Sequence, residues 1–108
     1  MEDIFKLELV TATSYKLLEN VQSISAKSES GDFTALANHE RSIIKLKPCV
    51  AFIKIKDGPT EKFFVNGATI KIEGKIYCLV ASEVLLVNDM KEADFKDHPH
   101  RDLISKAV

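Results

Sequence analysis

The feature that most constrains this chain is a series of short alternating stretches, each ended by turn-forming residues. In the first of them, Phe5, Leu7 and Leu9 alternate with charged residues, as in a strand with one buried face. Similar stretches follow at intervals of about eight to twelve residues, a spacing typical of β-sandwiches and barrels. They cover residues 15–18, 21–27, 50–56, 61–65, 69–73 and 76–80. The sequence therefore predicts a mainly β domain.

Turn-forming dipeptides set the expected connections between these strands. Asp57-Gly58 and Asn66-Gly67 are both strong signals for a β-hairpin. Val21 is out of phase with the apolar residues on either side of it. This break in the alternation predicts a bulge or a new strand at that point.

The order of apolar residues also predicts which side chains face the core. After the turn at Gly74, we expect the inward phase of Ile70 and Ile72 to continue. The expected inward residues are Ile76, Cys78 and Val80. The unbroken apolar run 84–87 is typical of a strand that is buried on both sides.

Composition limits the classes of function. The chain has 108 residues, enough for one compact domain, and its 15 basic and 16 acidic residues nearly cancel, so we expect no nucleic-acid partner. The N-terminal MEDIFKLELV lacks the basic start and apolar run of a signal peptide. No stretch approaches the ~20 apolar residues of a membrane span. We expect a soluble protein with buried free thiols at Cys49 and Cys78.

One polar segment departs from the alternating pattern. Residues 28–38 are predicted to form a loop, and the next residues suggest a general-base pair of His39 and Glu40. However, neighbours in an extended chain point apart, and no nucleophile motif accompanies them. The residues alone therefore favour a binding or assembly module over an enzyme. They assign no catalytic residue, cofactor or metal ligand.

The alternating pattern ends after residue 88, and a mostly charged stretch follows. We expect a β domain over residues 1–88 and a short, partly helical tail over residues 89–108, with Pro99 in the first turn of a last helix. His98 and His100 lack the further ligands of a stable metal site, so a solvated turn is expected there. The apolar residues of the tail fall at helical spacing. They are Leu103, Ile104, Ala107 and Val108.

A longer pattern surrounds the polar segment. Residues 30–49 read S-G-D-F-T-A-L-A-N-H-E-R-S-I-I-K-L-K-P-C. They resemble the signature E-G-[DE]-[FL]-G-x-L-P-G-H-A-P-L-[LI]-T-x-L-K-P-G of the epsilon subunit of F-type ATP synthases, which is called delta in mitochondria. The flanking FKLELVTATSYKLLENVQSISAKSESG and FFVNGATIKIEGKIYCLVASEVLLVNDM resemble the family's other strands. The matching signature residues are Gly31, Asp32, Phe33, Leu36, His39, Leu46, Lys47 and Pro48.

The resemblance implies an antiparallel β-sandwich of about ten strands that belongs to the rotor. Such a subunit binds the gamma subunit and the c-ring and couples proton flow to ATP synthesis, without an active site of its own. It lies peripherally at the cytoplasmic face of the bacterial inner membrane, as part of the complex. The residues expected to touch these partners are Asp32, Phe33, Leu36, His39, Glu40 and Arg41. The alternative is a stand-alone sandwich that binds another protein or a small ligand.

Departures from the family pattern bear on function. Thr34 and Asn38 replace glycines, and Asn38 is able to adopt the same left-handed conformation. Some members bind ATP through I-D-x-x-R-A, for which this chain has M-K-E-A-D-F at residues 90–95. Asp94 stands where the arginine would meet the phosphates, so ATP binding is not expected. Many members carry two long C-terminal helices that inhibit ATP hydrolysis, and here we expect a short form without that function.

Overall fold

The structure, a computed structural model, describes residues 3–88 and 90–108. The first two residues of the expected β domain and residue 89, the first of the expected tail, lie outside the described residues. The strands are β1 (Phe5–Val10), β2 (Tyr15–Ser28), β3 (Gly31–Leu36), β4 (Ser42–Lys45), β5 (Cys49–Ile55), β6 (Thr60–Asn66), β7 (Thr69–Ile72), β8 (Ile76–Val80) and β9 (Glu83–Leu86). The helices are α1 (Glu92–Phe95) and α2 (Arg101–Ala107).

The strands form two packed layers that share the long strand β2. The first part of β2 pairs with β1, and its last part pairs with β3 on one side and β5 on the other. The first layer therefore runs β4-β7-β8-β1-β2, and the second runs β3-β2-β5-β6-β9. The pairing register of β2 shifts beside Asn20, whose φ is 57°. This irregularity confirms the prediction made from Val21.

The mainly β class and the sandwich architecture are confirmed. The described residues form nine strands rather than about ten. Each layer nevertheless has five strands, because β2 belongs to both. β1 and β8 pair in parallel, whereas the other ladders are antiparallel. A parallel pair is possible here because β1 and β8 are distant in sequence and are joined through the second layer.

The main core lies between the two layers, where alternate side chains of the strands meet. The predicted inward residues of β1 are buried, and so are alternate residues in the central part of β5. They are Phe5, Leu7, Leu9, Ala51 and Ile53. Burying one large aliphatic or aromatic side chain contributes roughly 1.5–3 kcal/mol, so this core is the main source of stability.

The segment predicted as a loop is largely a strand. β3 pairs with β2 from Gly31 opposite Ser28 to Leu36 opposite Ser23. The loop interpretation of residues 28–38 is therefore wrong. Phe33 and the small Ala35 occupy the inward positions of β3. Because the side chain of Ala35 is small, the alternation of β3 is hard to recognise in the sequence.

Of the two predicted hairpin dipeptides, one joins paired strands and the other does not. Asp57-Gly58 connects β5 to its antiparallel neighbour β6, so this prediction is confirmed. Asn66-Gly67 connects β6 in the second layer to β7 in the first, so the hairpin prediction is wrong there. Gly67 has a φ of 63°, and a β-carbon on it would lie 2.7 Å from the Ser82 hydroxyl oxygen. The β6–β7 connection therefore packs against the β8–β9 connection, which also crosses between the layers.

The inward phase of β8 is the opposite of the predicted one. Tyr77 and Leu79 are completely buried in the core. Ile76 and Val80 are each 52% exposed, and Cys78 lies between them on the outer side. The prediction is wrong because every residue of I-Y-C-L-V is apolar, so alternation does not mark a face. A shift of pairing by one residue reverses the direction of every side chain in a strand.

The apolar run 84–87 is not buried on both sides, as its composition suggested. β9 pairs with β6 and forms an edge of the second layer. Its side chains are partly exposed, with Leu86 at 40%. Val87, just after the strand, is completely buried because it packs under the tail.

The tail packs on the outer side of the second layer. Phe64 of β6 is covered by Phe95 of α1 and by Ile104 and Ala107 of α2, which together form a second apolar cluster. The Lys62 ammonium donates to the Ala107 carbonyl oxygen at 2.9 Å and so satisfies a terminal carbonyl of α2. In the described part of the chain, no helix has the length and apolar character needed to cross a membrane.

The His-Pro-His turn before α2 is packed rather than solvated, so that expectation is wrong. His98 Nε2 lies 2.9 Å from Glu83 Oε2, and the His100 N–H donates to His98 Nδ1 at 2.9 Å. Both rings contact Phe64, with centroid separations of 5.1 and 5.4 Å. Because Nδ1 accepts a hydrogen bond, the ring proton of neutral His98 lies on Nε2. This N–H donates a hydrogen bond to the Glu83 carboxylate. Pro99 precedes α2 and does not lie in its first turn.

Candidate partner interface

The six residues predicted to touch partners fall into two groups in the structure. β3 and the turn after it place four of them on the surface and leave two half-buried. The exposed residues are Asp32, Leu36, Glu40 and Arg41, and the half-buried residues are Phe33 and His39. The period of two in β3 explains the first part of this division, since Asp32 and Phe33 point to opposite sides of the strand.

Asp32 forms an ion pair with Lys27 of β2. The two residues are directly opposite each other in the ladder, and Lys27 Nζ lies 2.9 Å from Asp32 Oδ1. The hydrogen bond from Lys27, reinforced by its charge, lowers the pKa of the Asp32 carboxyl below its usual value. The same contact raises the pKa of the Lys27 ammonium. The negative charge of the exposed Asp32 carboxylate is therefore balanced by the positive charge of Lys27.

His39 is held in place by the buried Tyr77. The His39 N–H donates to the Tyr77 hydroxyl at 3.3 Å, and that hydroxyl donates to the Leu36 carbonyl oxygen at 2.8 Å. The His39 ring meets the Phe33 ring edge to face, with 6.2 Å between the centroids. Sequence reasoning missed Tyr77, and the signal was a hydroxyl-bearing aromatic residue in the middle of an apolar strand.

The proposed general-base pair of His39 and Glu40 is not formed through the Glu40 carboxylate. His39 Nδ1 lies 2.8 Å from the main-chain carbonyl oxygen of Glu40, which also accepts a hydrogen bond from the Ser42 hydroxyl at 3.0 Å. This geometry fixes the orientation of the ring. It ties the His39 side chain to the main chain of the turn.

Arg41 connects this region to the end of β7. Arg41 Nη2 lies 3.0 Å from Glu73 Oε1, and Lys71 Nζ lies 3.3 Å from the other carboxylate oxygen of Glu73. All three side chains are substantially exposed. Pairs of this kind contribute only about 0–1 kcal/mol each, so they position the surface more than they stabilise the fold.

The sandwich and this segment correspond to a known family. The model of the β-sandwich domain of the ATP synthase delta/epsilon chain matches residues 4–86. The chain belongs to this family. The match covers every strand and ends just before the tail.

Relatives of the epsilon type support the assignment. The ATP synthase epsilon chain of Mesorhizobium japonicum is 30% identical over 94 residues, which are 87% of this chain and 70% of the relative. That of Sinorhizobium fredii is 28% identical over 102 residues, which are 86% of this chain and 76% of the relative.

Solved structures share the fold. A chain in the cryo-EM structure of the Euglena gracilis mitochondrial ATP synthase, showing OSCP, F1 and the c-ring, superposes with a TM-score of 0.75 at 14% identity, covering 98% of this chain and 73% of that one. A chain in the central stalk and c-ring structure of the Tetrahymena thermophila mitochondrial enzyme gives 0.70 at 12% identity, covering 98% and 97%. At these identities the likeness concerns the fold.

In this member of the delta/epsilon family, two residues that replace signature glycines fit their backbone positions. Asn38, which replaces a glycine, has a φ of 63° and so adopts the predicted left-handed conformation. Thr34, which replaces another signature glycine, lies within β3. Its hydroxyl oxygen is 3.3 Å from the hydroxyl oxygen of Ser25 on the neighbouring strand β2. Thr34 thus changes a flexible position into one suited to a strand.

The two cysteines of this delta/epsilon chain are free thiols that differ in burial. Among the described residues, no group of three or more His, Cys, Asp or Glu side chains is placed to hold a metal ion. Cys49 is buried, whereas Cys78 is only half-buried, which corrects the expectation of two buried thiols. Burial raises the pKa of both thiols and so disfavours the reactive thiolate.

Proposed function

We propose that this chain is a central-stalk subunit of a proton-translocating F-type ATP synthase and binds the gamma subunit and the c-ring. The observation that carries the proposal is the family match over residues 4–86, which spans the whole sandwich. Its role is mechanical, because a close-packed sandwich deforms little and transmits torque between two attached partners. The subunit supplies no active site of its own and acts at the cytoplasmic face of the bacterial inner membrane.

The residues around β3 have different roles in this proposal. Asp32, Leu36, Glu40 and Arg41 contact the neighbouring subunits, since their side chains are exposed. Phe33 and His39 hold the turn in shape through their mutual contact and through Tyr77. Asp32 and Arg41 already have partners within the chain, so a charged partner must compete with an existing ion pair. Specificity then comes from the whole surface rather than from one pair.

The tail belongs to the body of the subunit in this proposal and is not an inhibitory arm. We propose a division into a sandwich over residues 1–88 and a tail over 89–108 that stays docked through Phe64 and Lys62. Nucleotide binding is not part of this proposed role, because Asp94 stands where the family's arginine would meet the phosphates and an acid there would repel them. The Asp94 carboxylate instead accepts a hydrogen bond from the Lys91 N–H at 2.8 Å at the start of α1. There it serves the helix terminus.

The role of the tail is tested by removing residues 90–108 together with a Phe64→Thr substitution, which replaces the apolar side chain that the tail covers. The ATPase activity of the assembled catalytic head should be the same with this variant and with the intact chain. A clear rise in ATPase activity would show that the tail acts as a brake. Phe64→Thr in the intact chain is the control for the substitution itself.

Association with the gamma subunit tests the proposed function directly. The purified chain and the gamma subunit of the same organism should elute as one complex from a sizing column at micromolar concentration. Separate elution would refute the rotor assignment and favour a stand-alone binding module. An unrelated protein of similar size and net charge serves as the control for non-specific association.

A further inference from the structure

The Asn66-Gly67 dipeptide has a chemical property that neither the fold nor the proposed function uses. It does not form a hairpin, and it lies where β6 ends and the chain crosses to β7. Of the four asparagines in the sequence, Asn66 alone is followed by glycine. Glycine has no β-carbon, so its nitrogen is able to approach the side-chain amide of the preceding asparagine. The dipeptide is therefore a candidate for spontaneous loss of ammonia.

Hydrogen bonding distinguishes Asn66 from Asn88, which lies just after β9. Asn88 Oδ1 accepts from the Lys62 N–H at 2.7 Å, and Asn88 Nδ2 donates to the Thr60 carbonyl oxygen at 3.0 Å. Among the described residues, no hydrogen bond holds the Asn66 side-chain amide or the Gly67 N–H. Asn66 is half-buried, so water reaches it.

The main-chain hydrogen bond at Asn66 favours the reaction. The Ser82 N–H donates to the Asn66 carbonyl oxygen at 3.0 Å. A peptide group that accepts a hydrogen bond at its oxygen is polarised, and its own N–H becomes more acidic. This N–H belongs to Gly67, whose nitrogen must lose its proton when it attacks the amide.

We propose that Asn66 is a site of spontaneous deamidation and that the products weaken the docking of the tail. The Gly67 nitrogen bonds to the side-chain carbonyl carbon of Asn66, the bond from that carbon to Nδ2 breaks, and the Gly67 proton leaves with Nδ2 as ammonia. Water then opens the cyclic imide at either of its carbonyl carbons. The products are aspartate and isoaspartate, in which the main chain passes through the side-chain carbonyl. No atom is oxidised or reduced, and water is the co-reactant.

Either product places a new carboxylate beside Glu83. Asn66 and Glu83 are directly opposite each other at the end of the β6–β9 ladder. Side chains in such a pair lie on the same face of the sheet, and like charges there are destabilising. Glu83 accepts a hydrogen bond from His98 Nε2 at 2.9 Å, and His98 belongs to the turn before α2. Repulsion that moves the Glu83 side chain therefore weakens a contact that holds the tail.

Isoaspartate also lengthens the main chain by one carbon atom at a tight connection. A β-carbon on Gly67 would lie 2.7 Å from the Ser82 hydroxyl oxygen, so the connection has little space for a longer chain. Ser82 directly precedes Glu83, so a displacement of Ser82 changes the start of β9. We therefore expect isoaspartate to disturb the tail more than aspartate does.

Incubation of the whole folded chain at mildly alkaline pH, followed by mass spectrometry of its peptides, measures the rate of deamidation at each asparagine. We expect Asn66 to react at least about tenfold faster than Asn88, because glycine follows Asn66 and two hydrogen bonds hold the Asn88 amide. In urea the restraint on Asn88 is lost, so the ratio of the two rates should fall. Asn66→Gln, whose longer side chain would have to close a larger ring, identifies the signal.

Hydrogen exchange of α2 measures the effect on the tail. Asn66→Asp reproduces the aspartate product, and the isoaspartate form is isolated from the aged chain by ion-exchange chromatography. Exchange in α2 should be about two- to fivefold faster in Asn66→Asp than in the wild type, and faster still in the isoaspartate form. Asn20→Asp is the matched control, because it adds the same charge at an exposed position of β2, outside the cluster that the tail covers. It should leave the exchange of α2 unchanged.

Three results would overturn this account of Asn66. Equal rates at Asn66 and Asn88 in the folded chain, or a ratio that rises in urea, would show that the fold protects Asn66. Equal exchange of α2 in the wild type and in both deamidated forms would remove the effect on the tail. Faster exchange in Asn20→Asp, to the same extent as in Asn66→Asp, would mean that net charge and not the contact with Glu83 is responsible. All of these measurements use the free chain, so they are independent of the test with the gamma subunit.

Discussion

The hydroxyl of Tyr77 links the core to the turn that contains His39, and its removal tests the account of this region. Tyr77→Phe deletes one oxygen atom from a completely buried side chain. The hydroxyl donates to the Leu36 carbonyl at 2.8 Å and accepts from the His39 N–H at 3.3 Å. We expect the variant to fold, to lose stability and to loosen the turn.

The magnitude follows from what the substitution keeps and what it removes. The stacking of the ring on Phe5, with 4.1 Å between centroids, is retained, so packing changes little. The two backbone groups lose their partner, and an unpaired buried polar group costs about 1–3 kcal/mol. The longer of the two hydrogen bonds contributes less, and the turn is near water. We therefore expect the free energy of unfolding to fall by about 2 kcal/mol.

Urea unfolding followed by circular dichroism measures this loss. With an m-value of about 2 kcal/mol per M, the midpoint should fall by about 1 M. Tyr15→Phe is the matched control, because the same atom is removed from a ring that is 60% exposed and bonded to Glu8 at 2.7 Å. The control should change stability by less than about 0.5 kcal/mol. Equal midpoints for wild type and Tyr77→Phe, or equal losses in the two variants, would refute the reasoning.

Three further predictions follow from local geometry. Gly67→Ala should lower the free energy of unfolding, measured in urea, by about 1 kcal/mol more than Gly74→Ala. Both glycines have a left-handed φ, but only at Gly67 would a β-carbon meet Ser82. Equal losses in the two variants would contradict this. Ile104→Ala should lower the unfolding free energy by about 2–4 kcal/mol, and a smaller loss would mean that the tail is undocked. The pKa of the Asp32 carboxyl, measured by NMR titration, should lie below the usual aspartate range. The ion pair with Lys27 then stabilises the protein above the pKa of the unfolded state, and this stability is lost as the pH falls through the pKa of the folded state. An ordinary aspartate pKa would show that the ion pair is absent in solution.

The candidate interface was only partly predictable from the sequence. The signature residues of the segment 30–49 indicated it as a candidate, and Asn38 adopts the left-handed conformation expected of it. The division of these residues into exposed and inward-facing ones required the pairing of β3 with β2. Tyr77 was missed because it comes from a distant strand, and sequence spacing gives no information on such a contact.

The sequence by itself determined the β class, most strand positions, the inward face of β1, and the family. Those features depend on local alternation and turn chemistry, which neighbouring residues define. Only the tertiary structure decided the phase of β8, the connection at Asn66-Gly67 and the packing of the tail. In β8 both sets of side chains are apolar, so local hydrophobicity does not distinguish them, and the pairing with β1 and β7 selects Tyr77 and Leu79 for the core. The same pairing leaves Ile76, Cys78 and Val80 on the outer side of the first layer.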